Sequence, residues 1–145
     1  MYEINTEAPQ NNLTISNIFI SHECYLKGNL YNTNFNVSIA SNGFSGISLF
    51  ECDVKSLVQF VHEIKSLYDF KYNNVELNDT CYGSRIIFEL KKTGHITISG
   101  TIYANAMLNS LNFEFTTDQT MLKKFVDSLY RDFIVENLYK LEISP

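Results

Sequence analysis

The chain has 145 residues, of which 45% are hydrophobic and 19% are charged, and its formal net charge at pH 7 is −5. These values predict one globular domain, residues 1–145, and not a disordered chain. The acidic balance argues against a general attraction to nucleic acid or to an anionic membrane, and it favours a basic protein partner. No apolar run reaches the roughly 18 residues that a membrane span requires.

The N-terminal segment and the cysteines indicate a cytoplasmic protein. Residues 1–13 contain Pro9 and no periodic apolar pattern, which predicts a loose arm, and their acidic and polar character is unlike that of a signal peptide. The three cysteines are odd in number and lack paired spacing. We therefore expect free thiols in a reducing compartment at Cys24, Cys52 and Cys81.

Alternating apolar residues predict β-strands in the first fifty positions. The run NFNVSIAS places Phe35, Val37 and Ile39 on one face, and Asn42-Gly43 follows it as a hairpin signal before the strand SGISLF. Upstream, ISNIFIS and CYLKGNL are interpreted as strands that are joined by a turn from Ser21 to Cys24.

A spacing of three and four residues then predicts an amphipathic helix from residue 54 to about residue 70, with Asp53 as its N-cap. Three further strands follow, in SRIIFELKK, GHITISGTIYA and LNSLNFEFT. Asp118 then caps a second helix with the same pattern. The matching positions, each pair 65 residues apart, are Asp53 and Asp118, Leu57 and Leu122, Phe60 and Phe125, and Ile64 and Leu129.

The fold class that follows is α+β, with a largely antiparallel β-sheet and two amphipathic helices packed on one face. Each helix carries a single apolar stripe, so each can cover only one side of a sheet. Short turns between the strands favour antiparallel neighbours. The repeated pattern predicts two strand-strand-helix units, in which the aspartates and apolar residues serve as caps and core.

Candidate metal ligands do not form a convergent set. In His22-Glu23-Cys24, adjacent residues on a strand would point to opposite faces, so a surface turn is the better interpretation. The pair His62-Glu63 resembles the start of a zinc-protease helix motif, but Ser66 occupies the position of the second histidine. We expect no metal ion and no other cofactor.

Catalytic candidates are equally weak. Cys52 precedes a helix, which could activate a thiol, although a buried thiol is the commoner case. His95 could act as a general base only with a partner that the sequence does not reveal. No nucleophile elbow, phosphate loop or Cys-x-x-Cys motif is present, so we predict that the protein is not an enzyme.

The segment YNNVELNDTCYG, residues 72–83, is the strongest candidate for partner binding. It brings together carboxylates and tyrosines outside the strong core patterns, namely Tyr72, Glu76, Asp79 and Tyr82. In this hypothesis the acids face a basic cleft and the tyrosines supply buried anchors. The alternative is that Val75 and Leu77 are buried in a short edge strand and the acids are simply solvated.

The run GHITISGTIYANAMLNSLNFEFTTDQTML, residues 94–122, resembles the WapI-like immunity proteins of bacterial polymorphic and contact-dependent toxin systems. The shared features are the strand from Gly94 to Gly100, the L-x-F-E motif from Leu111, and Asp118-Gln119-Thr120 at the start of the last helix. The turn Asn42-Gly43-Phe44 also fits, so the resemblance covers about residues 15–135. Relatives often have tryptophans near Tyr25–Tyr31, and this chain has none.

This resemblance implies an immunity protein that binds a cognate toxin domain, often a nuclease, and holds it inactive by covering its active site. It implies no catalysis, in agreement with the absence of catalytic motifs, and the acidic composition independently argues against a nucleic-acid or membrane partner. Two alternatives stay open. One is a small regulatory or ligand-binding α+β module with a pocket between sheet and helices, and the other is an enzyme with a site around His95 and Cys81.

Overall fold

A computed structural model describes residues 1–6 and 10–137, which form eight strands, three α-helices and a π-helical turn. The strands are β1 Tyr2–Asn5, β2 Asn12–Ile20, β3 Thr33–Ser41, β4 Phe44–Cys52, β5 Asn74–Asn78, β6 Arg85–Leu90, β7 His95–Ala104 and β8 Asn109–Asp118. The helices are α1 His22–Leu26, α2 Val54–Tyr68 and α3 Gln119–Tyr130, and the π-helical turn is Arg131–Val135.

The α+β prediction is confirmed, with the strands divided between two antiparallel sheets. One sheet has the order β1-β2-β3-β4 and the other has the order β5-β6-β7-β8. The fourth strand of each sheet leads directly into a helix, α2 or α3. The repeated unit is therefore four strands followed by one helix, which is larger than the predicted strand-strand-helix unit.

Helices α2 and α3 begin where the sequence predicts. The Asp53 carboxylate accepts a hydrogen bond from the amide of Lys55 at 3.1 Å, and the Asp118 carboxylate accepts one from Met121 at 2.9 Å. Each cap satisfies an amide that lacks a partner within its helix. The matching stripe residues are all buried, and they are Leu57 and Leu122, Phe60 and Phe125, Val61 and Val126, and Ile64 and Leu129.

The hairpin between β3 and β4 is also confirmed. Ser41 pairs with Phe44, which leaves Asn42 and Gly43 as a two-residue turn with φ angles of 53° and 89°. Asparagine and glycine tolerate positive φ, and such turns match the twist of the strands that they join.

The prediction of a strand at CYLKGNL is wrong, because His22–Leu26 forms the short helix α1. The Ser21 hydroxyl accepts a hydrogen bond from the amide of Cys24 at 3.1 Å and so caps this helix. A serine N-cap starts a helical turn where a strand would leave that amide unpaired.

The prediction of a loose N-terminal arm is wrong for the part of it that the structure describes. Strand β1 pairs with β2, Ile4 is fully buried, and the Tyr2 hydroxyl donates a hydrogen bond to Asp132 at 2.6 Å. Burial of an isoleucine and a strand ladder together order this segment. Residues 7–9 of the predicted arm, which include Pro9, lie outside the described residues.

The two sheets meet where β4 crosses β7. The Ser48 hydroxyl donates to the carbonyl oxygen of Tyr103 at 2.6 Å, and the Ser84 hydroxyl, 3.1 Å from that of Ser48, accepts from the Tyr103 amide at 2.9 Å. At the end of β3, beside the β3–β4 turn, the Ser41 hydroxyl donates to the carbonyl oxygen of Glu114 at 3.1 Å. These bonds join β3 and β4 to the second sheet.

Candidate binding surface

The predicted binding segment, residues 72–83, is divided by strand β5. Val75 and Leu77 are buried in this edge strand, which confirms the first part of the alternative interpretation. Its second part, that the acids are simply solvated, is wrong for Asp79, which is buried. Tyr72 precedes β5 and Tyr82 follows it, so the strand separates the two tyrosines. The structure therefore does not bring the four predicted residues together into one site.

Asp79 is a structural residue. The residue is only 3% exposed, and its carboxylate accepts hydrogen bonds from the amides of Glu51, Cys81 and Tyr82 at 2.9, 3.1 and 3.0 Å. Charge-assisted bonds of this kind compensate for the loss of water around a carboxylate. Asp79 thus holds the loop after β5 against β4 and does not present its charge to a partner.

The other predicted residues reach the surface in different places. Glu76 forms an ion pair with Arg85, and both side chains are partly exposed. Tyr72 and Tyr82 are about half exposed. Of the predicted residues, Tyr82 is the one that lies beside a larger apolar surface.

That surface is formed mainly by β4, which has apolar residues on both of its sides. Phe50 and Cys52 are buried in the core, whereas Ile47 is 64% exposed and Leu49 is 50% exposed on the opposite side of the strand. Glu51 continues the outward side. Alternate residues of a strand share one face, so Ile47 and Leu49 form a continuous apolar patch, and such patches mark interaction sites when neighbouring residues extend them.

Two hollows follow the outward side of β4. The first, of about 120 Å³, lies between Ile47 and the ends of β7 and β8, and the second, of about 240 Å³, lies between Leu49, Glu51 and Tyr82. Both hollows are lined by Tyr103. The exposed side chains of the β7–β8 turn lie next to them. We define the β4 face as Ile47, Leu49, Glu51, Cys81, Tyr82, Tyr103, Met107 and Leu108.

The electrostatic potential in the second hollow, beside Glu51, is negative. Desolvation, followed by the negative charges of Glu51 and Asp79, raises the pKa of the exposed Cys81 thiol. No lysine or arginine is among the residues that line the hollow, and no ion pair found within residues 1–6 and 10–137 involves Glu51. The Cys81 thiol is a hydrogen-bond partner of this carboxylate, whose remaining acceptor positions can meet a cation from outside.

The nucleophile candidates fit poorly with catalysis. Burial, followed by the negative charges of Asp53 and Asp79, raises the pKa of the Cys52 thiol to about 12. A thiol with such a pKa stays protonated near neutral pH and is a poor nucleophile. All three cysteines are free, and Cys81 is the exposed one.

The histidine candidates are scattered. His22 and Cys24 lie in α1, His62 packs edge-on against the ring of Tyr130 with ring centroids 6.3 Å apart, and His95 is exposed at the start of β7. Within the described part of the chain, no three side chains of His, Cys, Asp or Glu come together as a set that could hold a metal ion. In that same part, none of the helices is both long and apolar enough to cross a membrane.

Other surfaces are less suited to binding a partner. Exposed apolar residues also surround α1, namely Phe19, Leu26, Leu30 and Tyr31, but this five-residue helix has no fully buried residue and only Tyr25 packs against the core. A groove of about 480 Å³ at His95 and Asp118 is lined mainly by threonines, and Met121 is its apolar lining residue. A groove of about 740 Å³ runs from Phe70 to Lys92 at the opposite end of β5 from Tyr82.

The sequence pattern does not point to Ile47, Leu49 or Glu51, whereas Tyr103 belongs to the tyrosines at loops and strand ends that suit an interface. A signal was present in SGISLFEC, where apolar residues occupy both phases of the alternation, so that one face of a strand buried on a single side must be exposed. The sequence did not show which phase that would be.

Comparison with known proteins adds little about function. No protein-family model and no curated protein matches the chain. Among solved structures, the chain is similar to one described as crystal structures of Trypanosoma brucei MRP1/MRP2, with 8% sequence identity and a TM-score of 0.44 over 82% of this chain and 83% of that chain. A likeness at this level says nothing about what the present chain binds.

Proposed function

We propose that this protein is a cytoplasmic immunity protein that binds a cognate toxin domain through the β4 face and neutralises it by covering its active site. The observation that carries the proposal is the exposed apolar side of β4, on which Ile47 and Leu49 flank hollows lined by tyrosines. The resemblance of residues 94–122 to WapI-like immunity proteins supplies the kind of partner.

The composition of the β4 face suits protein binding. Tyrosine and methionine are enriched at protein interfaces, where a ring or a flexible thioether buries area and a tyrosine hydroxyl can remain hydrogen-bonded. Tyr82 and Tyr103 line the hollow beside Leu49, and Met107 is exposed in the turn whose residues Asn105 and Ala106 line the same hollow. A central apolar cluster beside polar groups is the usual arrangement of an interface that binds tightly.

The rigidity of the scaffold also supports this function. Strand β4 is paired with β3 along its length, and the Ser48 hydroxyl ties it to Tyr103. Asp79 fixes the loop that carries Tyr82 through bonds to backbone amides. A face that is ordered before binding loses little conformational entropy in the complex, which favours high affinity.

Charge would assist the encounter with a basic toxin. The chain carries a net charge of −5, and Glu51 lies on the proposed contact surface. The active site of a nuclease must accept phosphates and is commonly basic, so an acidic inhibitor is drawn toward it. Fast association protects a cell that makes its own toxin, and the rate of association should fall as salt rises.

The test is co-expression with the toxin domain encoded next to this gene, with growth of the host as the readout. The wild-type chain should restore growth. The double substitution Ile47→Asn and Leu49→Glu should abolish protection, while Asn112→Ala and Glu114→Ala on β8 should retain it. Circular dichroism and thermal melting of each variant establish that the fold is intact.

Two results would contradict the proposal. If the wild-type chain neither protects the host nor binds the purified toxin domain, the protein is not the immunity partner of that toxin. If the β4 double variant is folded and protects as well as the wild type does, neutralisation does not use the β4 face.

A further inference from the structure

The hollow beside Glu51 is shaped for one extended side chain with an apolar stem and a positive end. Its apolar walls are Leu49, Ala104 and Ala106, its aromatic walls are Tyr82 and Tyr103, and Glu51 is the charged group that lines it. A volume of about 240 Å³ is too small for most cofactors and suits a single side chain. This composition selects for a group that is both apolar and cationic.

We infer that this hollow receives an arginine side chain of the bound toxin. The inference rests on the proposed function and names the group that the β4 face recognises. The methylene groups of arginine would lie against Leu49 and the alanines, and the guanidinium would meet Glu51. A planar guanidinium can donate two parallel hydrogen bonds to one carboxylate.

The charges around the hollow favour a cation and disfavour an anion. Glu51 lacks an ion pair within the described residues, and Asp79 lies close enough for its charge to act on the same loop. The Asp79 carboxylate is already occupied by three backbone amides, so it contributes charge and no direct contact. Glu51 accepts a hydrogen bond from the Cys81 thiol, but its carboxylate has further acceptor positions and no cationic partner within the described residues.

The aromatic walls favour arginine over lysine. Arginine is more weakly hydrated than lysine and stacks readily on an aromatic face, so it loses less when it enters a partly apolar hollow. Tyr82 and Tyr103 line the hollow from two different elements, the loop after β5 and strand β7. A lysine could reach Glu51, but it would form a single point contact.

The first experiment needs no toxin. The purified chain is titrated with Nα-acetyl-arginine amide while its NMR spectrum is recorded, and the neutral isostere Nα-acetyl-citrulline amide serves as the control. We expect saturable shifts in the millimolar range at Leu49, Cys81, Tyr82 and Tyr103 with the arginine compound only. Equal shifts with citrulline, or arginine shifts scattered over the surface, would overturn the inference.

The second experiment uses Glu51→Gln, which keeps the shape of the side chain and removes its charge. The variant should lose the arginine shifts and should bind the toxin domain about 30-fold more weakly, mainly through faster dissociation. Glu76→Gln, whose carboxylate is paired with Arg85, is the matched control and should change neither readout.

The outcomes separate this inference from the proposed function. If Glu51→Gln binds the toxin as tightly as the wild type does and arginine is not recognised, the inference fails while the immunity function stands. If the wild-type chain binds no toxin but selects arginine over citrulline at this hollow, the proposed function fails while the hollow retains its chemistry.

Discussion

Strands β4 and β8 hold equivalent places in the two units, yet their outward sides differ in chemistry. Each strand pairs with the strand before it and leads into a capped helix, and Phe50 and Phe115 are buried at the same position of each. The outward residues that are 65 positions apart are Ile47 and Asn112, Leu49 and Glu114, and Glu51 and Thr116. The common scaffold therefore accepts polar residues at these positions.

The comparison of β4 with β8 distinguishes the residues that the fold requires from those that it does not require. The inward residues of both strands are buried, so packing in the core constrains them. The outward residues of β8 are ordinary polar surface, whereas those of β4 leave two aliphatic side chains in water. Because the fold tolerates the polar version in β8, the apolar version in β4 requires another explanation, and binding supplies one.

The inward positions also differ between the two units in the sizes of the residues that pair across the strands. In the first unit Val37 pairs with Ser48, and at the equivalent place in the second unit Gly100 pairs with Phe113. Each pair joins a small residue to a larger one. The small residue is on the last strand in the first sheet, β4, but on the third strand in the second sheet, β7. The Ser48 hydroxyl donates a hydrogen bond to the carbonyl oxygen of Tyr103. Gly100 has no Cβ atom, so the backbone of β6 can approach it closely.

The largest effect on stability is expected from Gly100→Ala. A Cβ atom at this position would lie 1.9 Å from the carbonyl oxygen of Arg85, and the φ angle of 151° is one that residues with a side chain rarely adopt. We expect a loss of more than about 3 kcal/mol in the free energy of unfolding, measured by urea denaturation.

Gly46→Ala is the matched control, because its Cβ would make contacts of 3.4 Å with the side chains of Ile102 and Leu111. Its cost should stay below about 1 kcal/mol. Equal losses for the two variants would mean that the close approach of β6 to β7 is not what requires glycine.

A smaller but clear effect is expected from the two acids of the predicted binding segment. Asp79→Ala would leave the amides of Glu51, Cys81 and Tyr82 without their acceptor, and we expect a loss of about 3 kcal/mol by urea denaturation. Asp79→Asn retains an acceptor oxygen and should lose less. Glu76→Gln breaks a partly exposed ion pair and should change stability by less than about 1 kcal/mol.

A reversed order, with Glu76→Gln more costly than Asp79→Ala, would contradict the assignment of Asp79 as the structural acid. It would also remove Glu76 as a suitable control for Glu51→Gln.

The smallest effect concerns Cys52, whose equivalent in β8 is Thr117. The fold raises the pKa of the Cys52 thiol from 9.0 to about 12, so the folded state keeps a proton that the unfolded state releases above pH 9. This contribution to stability is complete below pH 9 and is lost as pH rises toward 12. We expect the stability advantage of the wild type over Cys52→Ala to shrink across that range, as measured by denaturation at matched pH values.

Subtracting the free energy of unfolding of Cys52→Ala from that of the wild type cancels the effects of other groups that titrate in that range. A constant difference between pH 8 and pH 11 would show that the Cys52 thiol is not protected by the fold.

Local patterns in the sequence account for the parts of the fold that were predicted. Helices α2 and α3 have strong periodicity and aspartate caps, and Asn42-Gly43 defines its turn without help from distant residues. Strand β1 has only four residues and gains its order from β2 and from the bond between Tyr2 and Asp132. The division into two sheets depends on pairings that no short segment contains.

The candidate surface was only partly predictable for the same reason. Tyr82 can be recognised in the sequence as a tyrosine in a loop. The local sequence does not show that Glu76 forms a surface ion pair whereas Asp79 is buried and bonded to backbone amides. From its sequence alone, Leu49 is expected to be a core residue, but in the folded structure its side of β4 faces the solvent. Exposure is set by tertiary packing, which a local pattern does not contain.

The central claim is that β4, and neither β8 nor the region of α1, contacts the toxin. Hydroxyl-radical footprinting of the chain alone and in complex with the toxin domain tests it directly, because it reports the solvent access of individual side chains. If β4 forms the contact, we expect several-fold lower oxidation of Leu49, Tyr82 and Met107 in the complex, with Tyr31 unchanged. Protection of Tyr31 and the other exposed residues around α1, with Leu49 and Tyr82 as reactive as in the free chain, would contradict it.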